Sequence, residues 1–160
     1  MSLDVSAHDF NLLDNYSVSF WVNTDIALEV GNARRLGFFS NGSNGSFDNY
    51  MAIQDSMTTT AVYSEDSAGT QHNAGALTIT VGTWHHFAFS MSGGTVSVYL
   101  DGDFATSFSG GTGYDLNYFG AGYGGATNNG SMDGQMDDLK FFNKALNSEE
   151  VQTIALEGRN

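Results

Sequence analysis

The chain has 160 residues, with 18 acidic against 5 basic side chains for a formal charge of −13, 20 glycines, no proline and no cysteine. This length suits one domain around one core, and 41% hydrophobic residues with 13% aromatics exclude a disordered chain. The missing cysteines exclude disulfides, a thiol nucleophile and thiolate metal sites, while the acidity excludes nucleic acid and disfavours anionic membrane surfaces, both of which need clustered Lys and Arg.

The periodicity is that of strands almost throughout. In Tyr16-Ser17-Val18-Ser19-Phe20-Trp21-Val22, the residues Tyr16, Val18, Phe20 and Val22 fall on one face and Ser17, Ser19 and Trp21 on the other. Leu36–Ser40 is a short apolar run stopped by Asn41-Gly42, and Asn49–Ile53 and Thr60–Tyr63 follow at the spacing of successive antiparallel strands. Ala76–Val81 alternates Leu77 and Ile79 with threonines and reads as a further strand. Trp84–Met91, Thr95–Leu100 and Phe104–Phe108 form a meander, because Ser92-Gly93-Gly94 and Asp101-Gly102 supply tight-turn chemistry between them. Leu116–Gly120 and Gln135–Phe142 bracket a loop rich in glycine and asparagine, Gly122–Gly134. Asn147 then caps a helix, with Glu150 completing a capping box and Val151, Ile154 and Ala155 on one face. Short strands, glycine turns and one late helix predict an all-β, two-sheet antiparallel sandwich spanning residues 1–160 as a single domain.

Few motifs carry chemistry. Gly120, Gly122 and Gly125 fit G-x-G-x-x-G, but no helix follows to direct its N-terminus at a phosphate. Gly110–Asp115 matches the start of one calcium-binding nonapeptide, a repeat that works only in tandem. His85 and His86 are strand neighbours on opposite faces, so they do not chelate one ion together, and they read as structural residues. Glycoside hydrolysis needs two carboxylates across one cleft. Three of the glutamates, Glu149, Glu150 and Glu157, sit on the terminal helix, and no strand carries a carboxylate pair on one face. A non-catalytic protein is expected.

The remaining carboxylates suit a hard cation. Calcium takes six to eight oxygens from carboxylates, amides, carbonyls and water, and Asp48-Asn49 and Asp133–Asp138 lie in segments that offer them. Alternation places Asp137 on the same face as Leu139 and Phe141. An inward carboxylate there has to be paired, hydrogen-bonded or metal-bound. Calcium and a carboxylate held by backbone N–H groups are the two readings. Asp137, Asp48 and Asn49 are the candidate metal ligands. Sugar binding draws on exposed tyrosines, whose rings stack on a pyranose while amides meet its hydroxyls. Tyr50, Tyr118 and Tyr123, with Asn128, are the candidate ligand-binding residues, and Tyr114 lies near them in sequence.

Four blocks resemble the laminin G-like domains of the concanavalin A-like jelly-roll superfamily: Tyr16–Val22, Gly82–Ala88, Val98–Gly102 and Gly134–Val151. The resemblance implies two curved antiparallel sheets, with ligands and often calcium at the rim or concave face. It gives Asp137 the place of an aspartate that holds structural calcium in related jelly rolls, and Asp48-Asn49 the place of rim calcium ligands of pentraxins. Where pentraxins carry a Glu-Gln-Asp run, this chain has Gly122-Tyr123-Gly124. The catalytic motifs of the superfamily's glycanases are missing.

The expectation is therefore a calcium-stabilised carbohydrate-binding or adhesion module, working through rim segments 41–50, 65–73, 114–118 and 123–133. Its partner would be a carbohydrate or a cell-surface glycan or protein. A structural module of a surface or virion protein, and a degenerate glycanase or lyase, are the alternatives. No stretch reaches the roughly 18 apolar residues of a membrane span. Met1-Ser2-Leu3-Asp4 lacks the layout of a secretory signal, so an extracellular location implies a module of a larger exported protein.

Overall fold

Alternating apolar and small polar residues, punctuated by Gly and Asn turns, build two antiparallel sheets. The computed structural model describes the backbone of residues 3–4, 15–25, 35–40, 50–56, 59–65, 71–77, 79–109, 118–119 and 134–159, and side chains over 15–25, 79–109 and 134–159 and at Leu77. The strands are β1 (Leu3–Asp4), β2 (Asn15–Thr24), β3 (Arg35–Ser40), β4 (Tyr50–Ser56), β5 (Thr59–Glu65), β6 (Gln71–Ala76), β7 (Trp84–Ser92), β8 (Thr95–Leu100), β9 (Asp103–Ser109), β10 (Tyr118–Phe119) and β11 (Gly134–Phe142), followed by helix α1 (Ser148–Glu157). Sheet A is six-stranded in the order β1-β10-β3-β4-β5-β6, and sheet B is five-stranded in the order β11-β2-β7-β8-β9.

The core follows the predicted face of β2. Tyr16, Val18, Phe20 and Val22 are buried with Phe87, Phe89, Met91, Val96, Val98 and Phe108 from the rest of sheet B. Phe20 packs on Phe87 at 6.1 Å and on Phe89 at 6.0 Å between ring centroids, within the range at which aromatic pairs attract beyond their burial.

The other face of β2 is buried as well, by the C-terminal segment. The Ser17 hydroxyl donates to the Lys144 carbonyl at 3.0 Å and accepts the Leu146 N–H at 2.9 Å. The Ser90 hydroxyl donates to the Leu146 carbonyl at 2.8 Å. Leu146 and Val151 then pack on Ala88 and Tyr99 in a second small core. The predicted capping box is present: Asn147 Oδ1 accepts the Glu150 N–H at 3.0 Å, and Glu150 Oε2 accepts the Asn147 N–H at 3.0 Å. Lys144 and the Asn147 amide hold the Glu150 carboxyl below its ordinary range. The predicted Asp-Gly turn is also present, with φ of 54° at Asp101 and 89° at Gly102. A Cβ at Gly102 would lie 3.2 Å from the Ala155 Cβ, so the turn and the helix are in close contact.

Two expectations need correction. The stretch Ala76–Val81 is not a strand: β6 ends at Ala76 and begins at Gln71, inside the segment read as a rim loop. Leu77 and Ile79 still pack on the core. Nearby donors have acceptors outside any ladder, Thr80 N–H on His85 Nε2 and Gly82 N–H on the Thr24 carbonyl. In β11, Asp137 opposes Trp21 and Lys140 opposes Ser19, so three steps on one strand match two on the other. This bulge, with Asp138 at φ 51°, resets the alternation. Met136, Leu139 and Phe141 face the core, and Asp137 lies on the opposite face from Leu139 and Phe141.

Gly134 opens β11 at φ 149°, where a Cβ would sit 2.0 Å from the Asn23 carbonyl oxygen. Gly134→Ala is expected to lower stability by more than about 2 kcal/mol in urea unfolding, since the clash is with backbone that cannot move aside. Ser17→Ala strands a buried Leu146 N–H and is expected to cost about 1–3 kcal/mol in the same measurement.

Candidate functional site

Sheet A ends in one continuous cross-strand row. Asp4 pairs with Tyr118, Tyr118 with Ser40, Ser40 with Tyr50, Tyr50 with Glu65, and Glu65 with Gln71. Register partners share a face of a sheet, so Tyr118, Ser40, Tyr50, Glu65 and Gln71 stand on one face. With strands about 4.8 Å apart, Tyr50 and Tyr118 are about 10 Å apart across Ser40. Segments 41–49 and 66–70 leave and return at this row, and segment 110–117 enters it at Tyr118. Two of the three candidate tyrosines, Tyr50 and Tyr118, thus share one row. Asn49 and Asp48, one and two residues before Tyr50 in the chain, lie outside the described residues.

Asp137 lies on sheet B, away from this row of sheet A. Tyr123 and Asn128 lie outside the described residues, and Gly134, which follows their segment in the chain, pairs with Thr24 at the end of β2 in sheet B. Asp137 follows Gly134 by three residues. Its carboxylate is half-exposed; Oδ1 accepts the Asp138 N–H at 2.9 Å and Oδ2 meets Arg159 Nε at 3.3 Å. The Arg159 guanidinium also lies 3.8 Å from the centre of the Trp84 ring, a cation–π contact. Of the two sequence readings for this carboxylate, the geometry shows a pairing with a backbone N–H and a guanidinium. Among the described residues no three His, Cys, Asp or Glu side chains converge as a metal would require.

A polar cluster the sequence reading missed joins β7 to the Asp101-Gly102 turn. His85 Nε2 accepts the Thr80 N–H at 3.0 Å, which leaves the ring proton on Nδ1 to be donated to Asp101 Oδ2 at 2.8 Å. Asp101 Oδ1 accepts the His86 backbone N–H at 2.9 Å. Both histidines are structural, as their strand position suggests, and no nucleophile joins them among the described contacts.

Three similar solved structures share this architecture. Domain 4 of AbnA, an extracellular arabinanase from Geobacillus stearothermophilus in complex with arabinotriose, superposes with a TM-score of 0.67 at 23% identity, covering 89% of this chain and 66% of that one. A heptameric SAP-like pentraxin from Limulus polyphemus gives 0.63 at 18%, covering 89% and 70%. The binding domain of botulinum neurotoxin serotype D gives 0.65 at 15%, covering 98% of this chain and 40% of that one. At these identities the likeness is one of fold. No protein of curated function matches the chain in sequence. The family profile described as the Concanavalin A-like lectin/glucanases superfamily matches residues 2–152, and the chain belongs to that superfamily, in its laminin G-like form.

Proposed function

We propose that this domain is a non-catalytic carbohydrate-binding or adhesion module whose ligand lies along the row Tyr118–Ser40–Tyr50–Glu65–Gln71. That row carries the reading, because it sets two aromatic residues on one face with hydroxyl, carboxyl and amide groups between and beside them. Rings stack on the apolar faces of sugars and the polar groups meet hydroxyls. Arabinotriose on the arabinanase domain and the naming of the serotype D toxin domain as a binding domain support a binding rather than a catalytic reading.

Charge narrows the ligand. The five basic residues are Arg34, Arg35, Lys140, Lys144 and Arg159, and none falls in the row or in segments 41–49, 66–70 and 110–117. The same stretches carry Asp4, Asp48, Glu65, Asp66 and Asp115. An array of one sign repels a ligand of that sign, so an uncharged glycan is favoured over a uronate or a sulfated chain. Calcium is assigned to Asp48 and Asn49, supported by their oxygen donors and by their position next to Tyr50, whose register partner is Glu65. The extracellular character of the arabinanase supports placing the domain in an exported protein. Among the described residues no helix is long and apolar enough to cross a membrane.

On a glycan array, the protein is expected to retain neutral oligosaccharides and to lose at least tenfold in affinity in either Tyr50→Ala or Tyr118→Ala, with melting unchanged. No binding across a broad panel would favour the structural-module alternative. Calcium is expected to raise the melting temperature, since a ligand that binds only the native state stabilises it. The rise should vanish in Asp48→Ala and persist in Asp137→Ala; the reverse pattern would move the ion to Asp137.

A further inference from the structure

The outer face of sheet B is a set of cross-strand rows: Phe142, Ser17 and Ser90; Lys140, Ser19 and Ala88; Asp137, Trp21 and His86; Gln135, Asn23 and Trp84. The C-terminal segment lies along these rows. It is fastened at one end by Ser17 and Ser90 on Leu146, and at the other by Arg159 on Trp84 and Asp137. His86 sits between the two fastenings. Around it, Ala88 packs with Val151, a Cβ at Gly102 would meet Ala155 and Gln152, Lys140 reaches Glu157 at 3.9 Å, and Trp84 lies under Arg159. The imidazole is therefore beneath the second half of α1, fully buried, with its ring 5.3 Å from that of Trp21.

Neither ring nitrogen of His86 has a hydrogen-bond partner among the described residues, and the same holds for Ser19 Oγ and Trp21 Nε1 in adjoining rows. The charged groups around it are committed elsewhere. Asp101 holds His85 and the His86 backbone N–H, Asp138 pairs with Lys140 at 2.9 Å, and Asp137 pairs with Arg159. Strand β2 contributes no titratable side chain to this face, its Tyr16 lying in the core between the sheets, and the helix's Glu157 is shared with Lys140. A proton on His86 would create a buried charge without a free counter-ion, next to the Lys140 ammonium.

We propose that α1 is an acid-released clasp, seated on sheet B while His86 is uncharged and lifted from it when His86 takes up a proton. Water reaching the exposed imidazolium in the open form supplies the solvation that the closed form denies it. Burial lowers the His86 pKa from 6.5 to about 4, with Asp101 opposing that shift and Lys140 reinforcing it. A depressed value makes the seating fully favourable above about pH 6.5 and progressively weaker as pH falls toward 4. Sheet B keeps its aromatic core on the other face, so the release is local.

Hydrogen exchange read as protection factors, which remove the intrinsic pH dependence, tests this on the intact chain. From pH 7 to pH 4.5 the amides of 151–157 are expected to lose protection by roughly 10- to 100-fold, as the linkage of a group shifted this far requires. Those of residues 18–20 and 87–89 should stay protected. Emission from Trp21 and Trp84, the only two tryptophans, should shift to the red over the same range. His86→Phe and His86→Gln, which cannot charge, should each abolish the loss. Unchanged protection of 151–157 in the wild type would overturn the proposal. So would simultaneous loss in helix and core strands, or the same acid loss in both variants. If one variant fails to fold, the other and the wild-type regional comparison still decide the matter.

Discussion

Strand β2 has solvent on neither side. Its even-numbered residues, from Tyr16 to Val22, close the space between the sheets, while Ser17, Ser19 and Trp21 on the reverse face are closed over by residues from Lys144 to Arg159. A sheet with both faces covered needs its polar groups matched one by one, because a buried hydroxyl or N–H without a partner costs more than a made bond returns. The hydroxyls of Ser17 and Ser90 meet that demand by acting as substitutes for a further strand, satisfying the backbone of Leu146 where no ladder reaches it. With the β2 face of sheet B covered by the C-terminal segment, the end row of sheet A, from Asp4 to Gln71, is where the strand register brings two tyrosines into line with oxygen-bearing residues.

Much of this was legible in the sequence where local chemistry decides the outcome. The Gly93-Gly94 turn pairs Ser92 with Thr95, and stepping down that ladder sets Ala88 against Tyr99 and brings Asp101 to the end of β7. The Asn147 and Glu150 pair announces the helix start in the same way. What escaped was decided at longer range. The row Ser17-Ser19-Trp21 has the composition of a wet face, and only the path of the C-terminal segment makes it a buried one. The alternation of Leu77 and Ile79 did identify residues that face the core, but a strand also needs a neighbour for its N–H groups, and Thr80 and Gly82 had found other acceptors.

The same limit shaped the candidate site. A period of two carried Asp137 to the core face because it assumes an unbroken ladder. The three-residue spacing of Met136 and Leu139 was the available sign that the ladder has an extra residue. Ring chemistry beside glycine-rich loops points to Tyr50 and Tyr118. Their common row depends on β3 lying between β4 and β10, a pairing across 78 residues of chain that no local pattern encodes. Asp48, Asn49, Tyr123 and Asn128 fall outside the described residues, and their assignment rests on donor chemistry and chain position.

The bulge at Asp138 has a bearing on how copies of this molecule meet one another. β11 is the outermost strand of sheet B, and an outermost strand offers a line of N–H and C=O groups to any extended chain in solution. An incoming strand needs that line to be straight and regular. Here it is broken after Asp137 and carries Asp137, Asp138 and Lys140 side by side, so a foreign strand that paired from Gly134 would lose register within four residues and meet charges. The irregularity that removed Asp137 from the core thereby guards the open side of the sheet against growth into aggregates.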